Sequence, residues 1–100
     1  MMKYTNEMML MISKFLYGEL DAEKFSFDFP ARLSFIYDEF LKENRELCDY
    51  LEDEMPEVCQ WYDPHNTGEP GVYNLDTFRK KVYEVYFNAL PMTQRLKKIS

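Results

Sequence analysis

Apolar residues recur every three or four positions in four stretches of the chain, which is the spacing of one face of an α-helix. In the second stretch these positions are Phe25, Phe29, Leu33, Tyr37, Phe40 and Leu41. No alternating strand pattern of useful length and no Asn-Gly hairpin turn is present. The sequence therefore predicts an all-α protein, with the four segments arranged as an antiparallel four-helix bundle.

Residues that favour helix ends separate the four segments. Thr5, Asp21 and Asn74 each precede an apolar stretch and can cap a helix N-terminus. Gly18 offers a left-handed stop for the first helix. Asn44 fits a tight turn between the second and third helices, so these two segments should follow each other closely.

Three prolines bear on where the helices end. Pro30 and Pro56 lie inside the second and third segments, where a missing N–H and a ring clash predict a kink or a break. A break at either position would raise the number of segments to five. Pro91 is expected to end the last helix, which predicts one helical domain over residues 1–90 and a basic tail over residues 91–100.

The third segment is strongly acidic: residues 45–63 carry seven carboxylates and no cation after the initial Arg45. At about 100° per residue, one face of a helix here is apolar. The opposite face carries Glu46, Asp49, Asp53 and Glu57. Like charges at this spacing cost an isolated helix about 0.2–0.5 kcal/mol per pair. Two interpretations remain, a solvated face that keeps the protein soluble and a docking surface for a basic partner.

Two aromatic residues lie beside this acidic row on the helical wheel, Tyr50 and Trp61. Buried Tyr and Trp residues commonly supply the lasting affinity of a protein interface. The alternative for Trp61 is packing at the edge of the core. The predicted partner-binding set is Glu46, Asp49, Tyr50, Asp53, Glu57 and Trp61.

Composition and charge restrict the class of partner. The 100 residues are 46% hydrophobic and 17% aromatic, which is enough for one folded domain. The net charge is −6, and residues 19–69 hold fifteen acids and four bases. This balance argues against direct binding to nucleic acid or to an anionic membrane surface and favours a basic protein.

The residues that usually carry chemistry are sparse. Cys48 and Cys59 would lie about 16 Å apart along one helix, too far for a disulfide, and are expected to be reduced packing residues of a cytoplasmic protein. His65 is the only histidine and lies in a polar loop without metal-ligand spacing. Neither a phosphate-binding glycine loop nor a nucleophile and base pair is recognisable. The sequence thus predicts no catalysis, no metal and no cofactor.

Three short patterns resemble one protein family. They are Phe15-Leu16-x-Gly18-Glu19-Leu20-x-Ala22-x-x-Phe25, Trp61-Tyr62-x-Pro64 and Leu75-x-x-Phe78-Arg79-x-x-Val82. Over roughly residues 8 to 90 the chain resembles bacterial colicin D-type immunity proteins, including those paired with contact-dependent growth inhibition toxins. The resemblance implies a small acidic helical bundle that binds and neutralises the nuclease domain of a cognate toxin, often an enzyme that cleaves transfer RNA.

Two functional hypotheses follow. The first is an immunity protein that binds a basic nuclease toxin through the acidic row of the third helix. The second is a non-catalytic acidic adaptor or regulator that contacts a basic cellular protein without inhibiting an enzyme. The sequence does not predict an oligomeric state.

Overall fold

Four helices make up the fold, as the periodicity predicts. The structure, a computed structural model, describes the backbone of residues 2–63 and 71–99 and the side chains of residues 2–63 and 71–93. The helices are α1 (Lys3–Leu16), α2 (Ala22–Glu43), α3 (Arg45–Gln60) and α4 (Leu75–Ile99). Each helix packs against the next, and α4 packs back against α1. The all-α class and the four-helix architecture are confirmed.

Contacts at the two ends of the bundle establish its topology. At one end Asn44, at the start of α3, donates hydrogen bonds to Thr5 near the start of α1 and to the carbonyl of Met92 in α4. At the other end Phe15 of α1 stacks on Phe25 of α2, with ring centroids 4.7 Å apart. Consecutive helices therefore run antiparallel.

An aromatic cluster closes the core at the second end. Phe78 of α4 lies 5.3 Å from Phe15, and Tyr62, just after α3, stacks on Phe78 at 4.4 Å. Such pairs contribute about 0.5–1.5 kcal/mol each beyond the burial of their area. Because the cluster joins all four chain segments, it sets the position of the α3 C-terminus.

The helix ends follow the capping signals with one exception. The side chains of Asp21 and Asn74 accept hydrogen bonds from the backbone N–H groups of Lys24 and Thr77, as predicted. Gly18 adopts the expected left-handed conformation, with φ of 83°.

The predicted cap at Thr5 is wrong. The α1 helix already begins at Lys3, and Thr5 is a buried residue inside its first turn. The carboxylate of Glu43, at the end of α2, accepts hydrogen bonds from the backbone N–H groups of Tyr4 (3.1 Å) and Thr5 (2.6 Å). Glu43 therefore caps the N-terminus of α1 although it is distant in the sequence. A pattern of neighbouring residues cannot predict such a cap.

The three prolines do not break the helices. Pro30 lies inside a continuous α2 and Pro56 inside a continuous α3, so the five-segment alternative is wrong. The prediction that Pro91 ends the last helix is also wrong, because α4 runs on to Ile99. Buried residues on both sides of Pro30 and Pro56 pack α2 and α3 against the core, and this packing outweighs the one backbone hydrogen bond that each proline removes.

The connection from α3 to α4 is clamped at its base. The N–H of Tyr73 donates to the carbonyl of Trp61 (2.7 Å), and the N–H of Asp63 donates to the carbonyl of Tyr73 (3.0 Å).

The predicted loop residue His65 lies outside the described residues. In the described ranges, no helix combines the length and apolar content needed to cross a membrane.

Candidate functional site

The third helix presents the four predicted carboxylates on one surface, called here the acidic face: Glu46, Asp49, Asp53 and Glu57. All four side chains are exposed. The buried residues of α3 lie on the opposite side of the helix: Leu47, Cys48, Leu51, Met55, Val58 and Cys59. Residues four apart lie about 6 Å apart along a helix axis, so Asp49, Asp53 and Glu57 form a regular row.

This row is not neutralised by neighbouring cations in the part of the chain with described side chains. No salt bridge there reaches Asp49, Asp53 or Glu57. Two salt bridges lie on other helices, Lys24 with Asp28 within α2 and Arg32 of α2 with Glu7 of α1. The negative charges of Asp49, Asp53 and Glu57 are therefore available to solvent and to a binding partner.

Burial and the carboxylates of α3 raise the pKa values of two groups that lie behind those carboxylates, Cys48 and Tyr37. Burial, together with the charges of Asp49 and Glu52, raises the pKa of the Cys48 thiol to about 11. The pKa of Tyr37 on the adjoining α2 is raised by burial and by the same carboxylates. Both groups are held in their neutral, protonated forms at neutral pH.

The two predicted aromatic anchors differ in their surroundings. Tyr50 is half-buried and packs against the core. Trp61 is 42% exposed and follows the last residue of α3. Its backbone is fixed on both sides, because its N–H donates to the carbonyl of Glu57 (3.2 Å) and its carbonyl accepts from Tyr73 (2.7 Å). Trp61 is thus held rigidly at one end of the acidic face with much of its ring in solvent.

Two exposed phenylalanines of α2 lie near the acidic helix, and the sequence did not predict them as candidate binding residues. Phe27 is 72% exposed and Phe35 is 81% exposed. Phe27 lines a groove of about 420 Å³ between α2 and α3 together with Pro30, Pro56 and Tyr62, named here the proline groove. Both phenylalanines fall between the buried positions of α2, and this placement outside the apolar face would have predicted their exposure from the sequence.

A second groove lies on another side of the bundle, between α1 and α4, with a volume of about 530 Å³. Its charges are mixed, with Asp76 beside Arg79 and Lys80. The Arg79 guanidinium is already engaged, since it donates to the carbonyl of Leu16 (3.0 Å). This groove therefore lacks the single sign of charge that distinguishes the acidic face.

Groups suited to chemistry are few in the described part of the chain. No cluster of three or more His, Cys, Asp or Glu side chains there could hold a metal ion. Burial raises the pKa of the Cys59 thiol to about 12. Because the thiolate is the reactive form of cysteine, neither Cys48 nor Cys59 is activated as a nucleophile.

The arrangement is suited to binding: a row of carboxylates on a rigid helix, flanked by Trp61 and Tyr50 and, toward α2, by Phe27. No family model, no curated protein and no solved structure matches this chain. The function is accordingly inferred from the geometry and charge of this surface.

Proposed function

We propose that this protein is a cytoplasmic immunity protein that binds a cognate bacterial nuclease toxin and neutralises it. The nuclease is of the transfer-RNA cleaving class, and the acidic face occupies its basic substrate cleft. The observation that carries the proposal is the row Asp49, Asp53 and Glu57, exposed on α3 and reached by no salt bridge from the described side chains. The protein itself contributes no catalysis.

The physical basis is competition for cations. A nuclease that grips RNA presents Lys and Arg side chains to the phosphate backbone. Carboxylates held about 6 Å apart along a helix meet those side chains without ordering a flexible segment, so little conformational entropy is lost on binding. With the cleft occupied, the RNA substrate is excluded.

Charge also determines the speed of encounter. Complementary fields raise association rate constants toward about 10⁸–10⁹ M⁻¹s⁻¹ at low salt, and this gain falls as salt is added. Fast capture matters when each free toxin molecule destroys RNA. Lasting affinity requires desolvated anchors, and Trp61 and Tyr50 are placed to provide them.

The test is a pair of double charge reversals that alter net charge equally. Asp53→Lys with Glu57→Lys changes the acidic face, whereas Glu19→Lys with Glu84→Lys changes exposed acids elsewhere. Each protein is co-expressed with the basic C-terminal domain of the toxin that we expect a neighbouring gene to encode. Cell survival and the association rate at several salt concentrations are then measured.

The acidic-face variant is expected to lose protection, to associate more slowly and to show a shallower salt dependence. The control variant should protect as the wild type does. Equal behaviour of the two variants would rule out the acidic face as the binding surface. Capture of a basic cellular protein with no protection from the toxin would instead support the adaptor hypothesis and overturn the immunity function.

A further inference from the structure

The proline groove lies between α2 and the acidic helix α3, and part of its lining is apolar. Its sides are formed by Phe27 and Pro30 of α2, Pro56 of α3, and Tyr62 just beyond α3. Phe27 contributes a ring that is 72% exposed, so one wall is an aromatic surface in contact with water. Its volume of about 420 Å³ is large enough to hold a long side chain from outside.

The charge at this groove is of one sign. Glu23 lines it, accompanied by the polar Ser26 and Gln60, and no Lys or Arg with a described side chain does. The pKa of Tyr62 is raised by burial and by the carboxylates of Asp21, Glu23 and Asp63. The groove therefore offers an apolar body with a negative rim.

Both prolines that lie within α2 and α3 line this same groove. Proline has no N–H, so the carbonyl of Ser26, four residues before Pro30, loses its usual helical donor. Ser26 lines the proline groove, whereas Glu52, four residues before Pro56, lines a different groove beside Phe35. The proline groove is therefore lined by one residue, Ser26, whose backbone acceptor lacks its helical partner.

We propose that the proline groove binds an arginine side chain of the basic partner, with the guanidinium against Phe27 and its N–H groups directed to Glu23 and the carbonyl of Ser26. The identity of the partner rests on the proposed function, whereas the chemistry of the groove does not. Arginine fits better than lysine because its planar guanidinium stacks on aromatic faces, has five donors and is more weakly hydrated. Its aliphatic stem lies along the proline rings.

The experiment uses the full chain and a defined probe, N-acetyl-arginine amide, with N-acetyl-lysine amide as the comparison. Titrations are followed by amide chemical shifts in ¹⁵N-labelled protein. Saturable shifts are expected at Phe27, Gln60 and Tyr62, with weaker binding of the lysine probe. Phe27→Ala and Glu23→Gln should each weaken the arginine probe by roughly three- to tenfold, the size expected from losing one cation–π or charged contact.

Phe35→Ala is the matched control. Phe35 is 81% exposed on the same helix and lines a different groove, so its removal should leave binding of the probe unchanged. Equal weakening by Phe27→Ala and Phe35→Ala, or no shifts at the groove residues, would overturn the proposal. So would a dimer of the wild type that Phe27→Ala converts to a monomer, since a second copy would then be the occupant.

The outcomes for the groove and for the immunity function are separable. If the toxin is neutralised and neutralisation depends on Asp53 and Glu57, but Phe27→Ala changes neither protection nor probe binding, only the groove proposal fails. If no toxin is neutralised and the arginine probe still binds at Phe27, the immunity function fails and the arginine site stands.

Discussion

Replacing Asn44 by Ala should be one of the most destabilising changes to a polar residue in the described part of the chain. Asn44 is 4% exposed, and its side-chain oxygen caps α3 by accepting from the N–H of Leu47 (3.2 Å). Its amide nitrogen donates to the hydroxyl of Thr5 (3.5 Å) and to the carbonyl of Met92 (3.4 Å). One side chain thus connects α1, α3 and α4 at the same end of the bundle.

The expected loss follows from these contacts. An N-cap of this type is worth about 1 kcal/mol. Leaving a buried donor or acceptor without a partner costs about 1–3 kcal/mol more, and the two long bonds to Thr5 and Met92 lie at the weak end of that range. The sum is about 2–3 kcal/mol, a large part of the 5–15 kcal/mol typical of a whole domain.

The measurement is urea denaturation followed by circular dichroism, with the free energy of unfolding obtained by linear extrapolation. Asn74→Ala is the control, because Asn74 caps α4 in the same way, with a 2.8 Å bond from the N–H of Thr77, but is exposed. Water can replace that bond, so the control should lose about 1 kcal/mol or less. A loss for Asn44→Ala no greater than the loss for Asn74→Ala would refute the argument from burial.

Three further changes test other parts of the structure. The hydrogen bond from Arg32 lowers the pKa of Glu7 below 4.5, so its stabilising effect is present above that pH and is lost as the pH falls through the lowered pKa. The stability gap between wild type and Glu7→Gln should therefore shrink between pH 7 and pH 3, and a constant gap would contradict this. With thiol pKa values of about 11 and about 12, Cys48 and Cys59 should resist a disulfide reagent at pH 8 until the protein is unfolded, and rapid labelling of native protein would disprove their burial. Pro56→Ala should raise the free energy of unfolding by about 2 kcal/mol. Proline costs a helix interior about 3 kcal/mol, and it returns up to about 1 kcal/mol by restricting the unfolded chain. A loss of stability in the same denaturation assay would contradict this prediction.

The sequence was informative wherever a local pattern decides the structure. The spacing of Phe25, Phe29 and Leu33 reflects burial on one side of a helix, and the helix formed as predicted. The caps at Asp21 and Asn74 each depend on residues three positions apart, so the chain itself contains the whole signal. The acidic face was predictable for the same reason, because helical geometry alone aligns its carboxylates.

The predictions that failed concern contacts between distant residues. The cap of α1 comes from Glu43, 38 positions from Thr5, which no local pattern reveals. The exposed Phe27 was missed because its importance depends on α3 lying beside α2. The continuity of α2 through Pro30 is also a tertiary effect, since packing on either side of the proline stabilises both halves of the helix.

Two departures from good helix design occur together in this protein, and their positions favour a shared purpose. α3 tolerates repulsion among its carboxylates, and α2 and α3 each tolerate an interior proline. Of the three prolines inside the described helices, Pro30 and Pro56 line one groove between α2 and the acidic helix α3, whereas Pro91 of α4 does not line it. Natural proteins break local rules mainly where function requires it. The proposed interface uses the carboxylate row for long-range attraction and the groove for a desolvated contact, and it accounts for both departures. On this proposal, removing Pro56 stabilises the fold and impairs the binding surface.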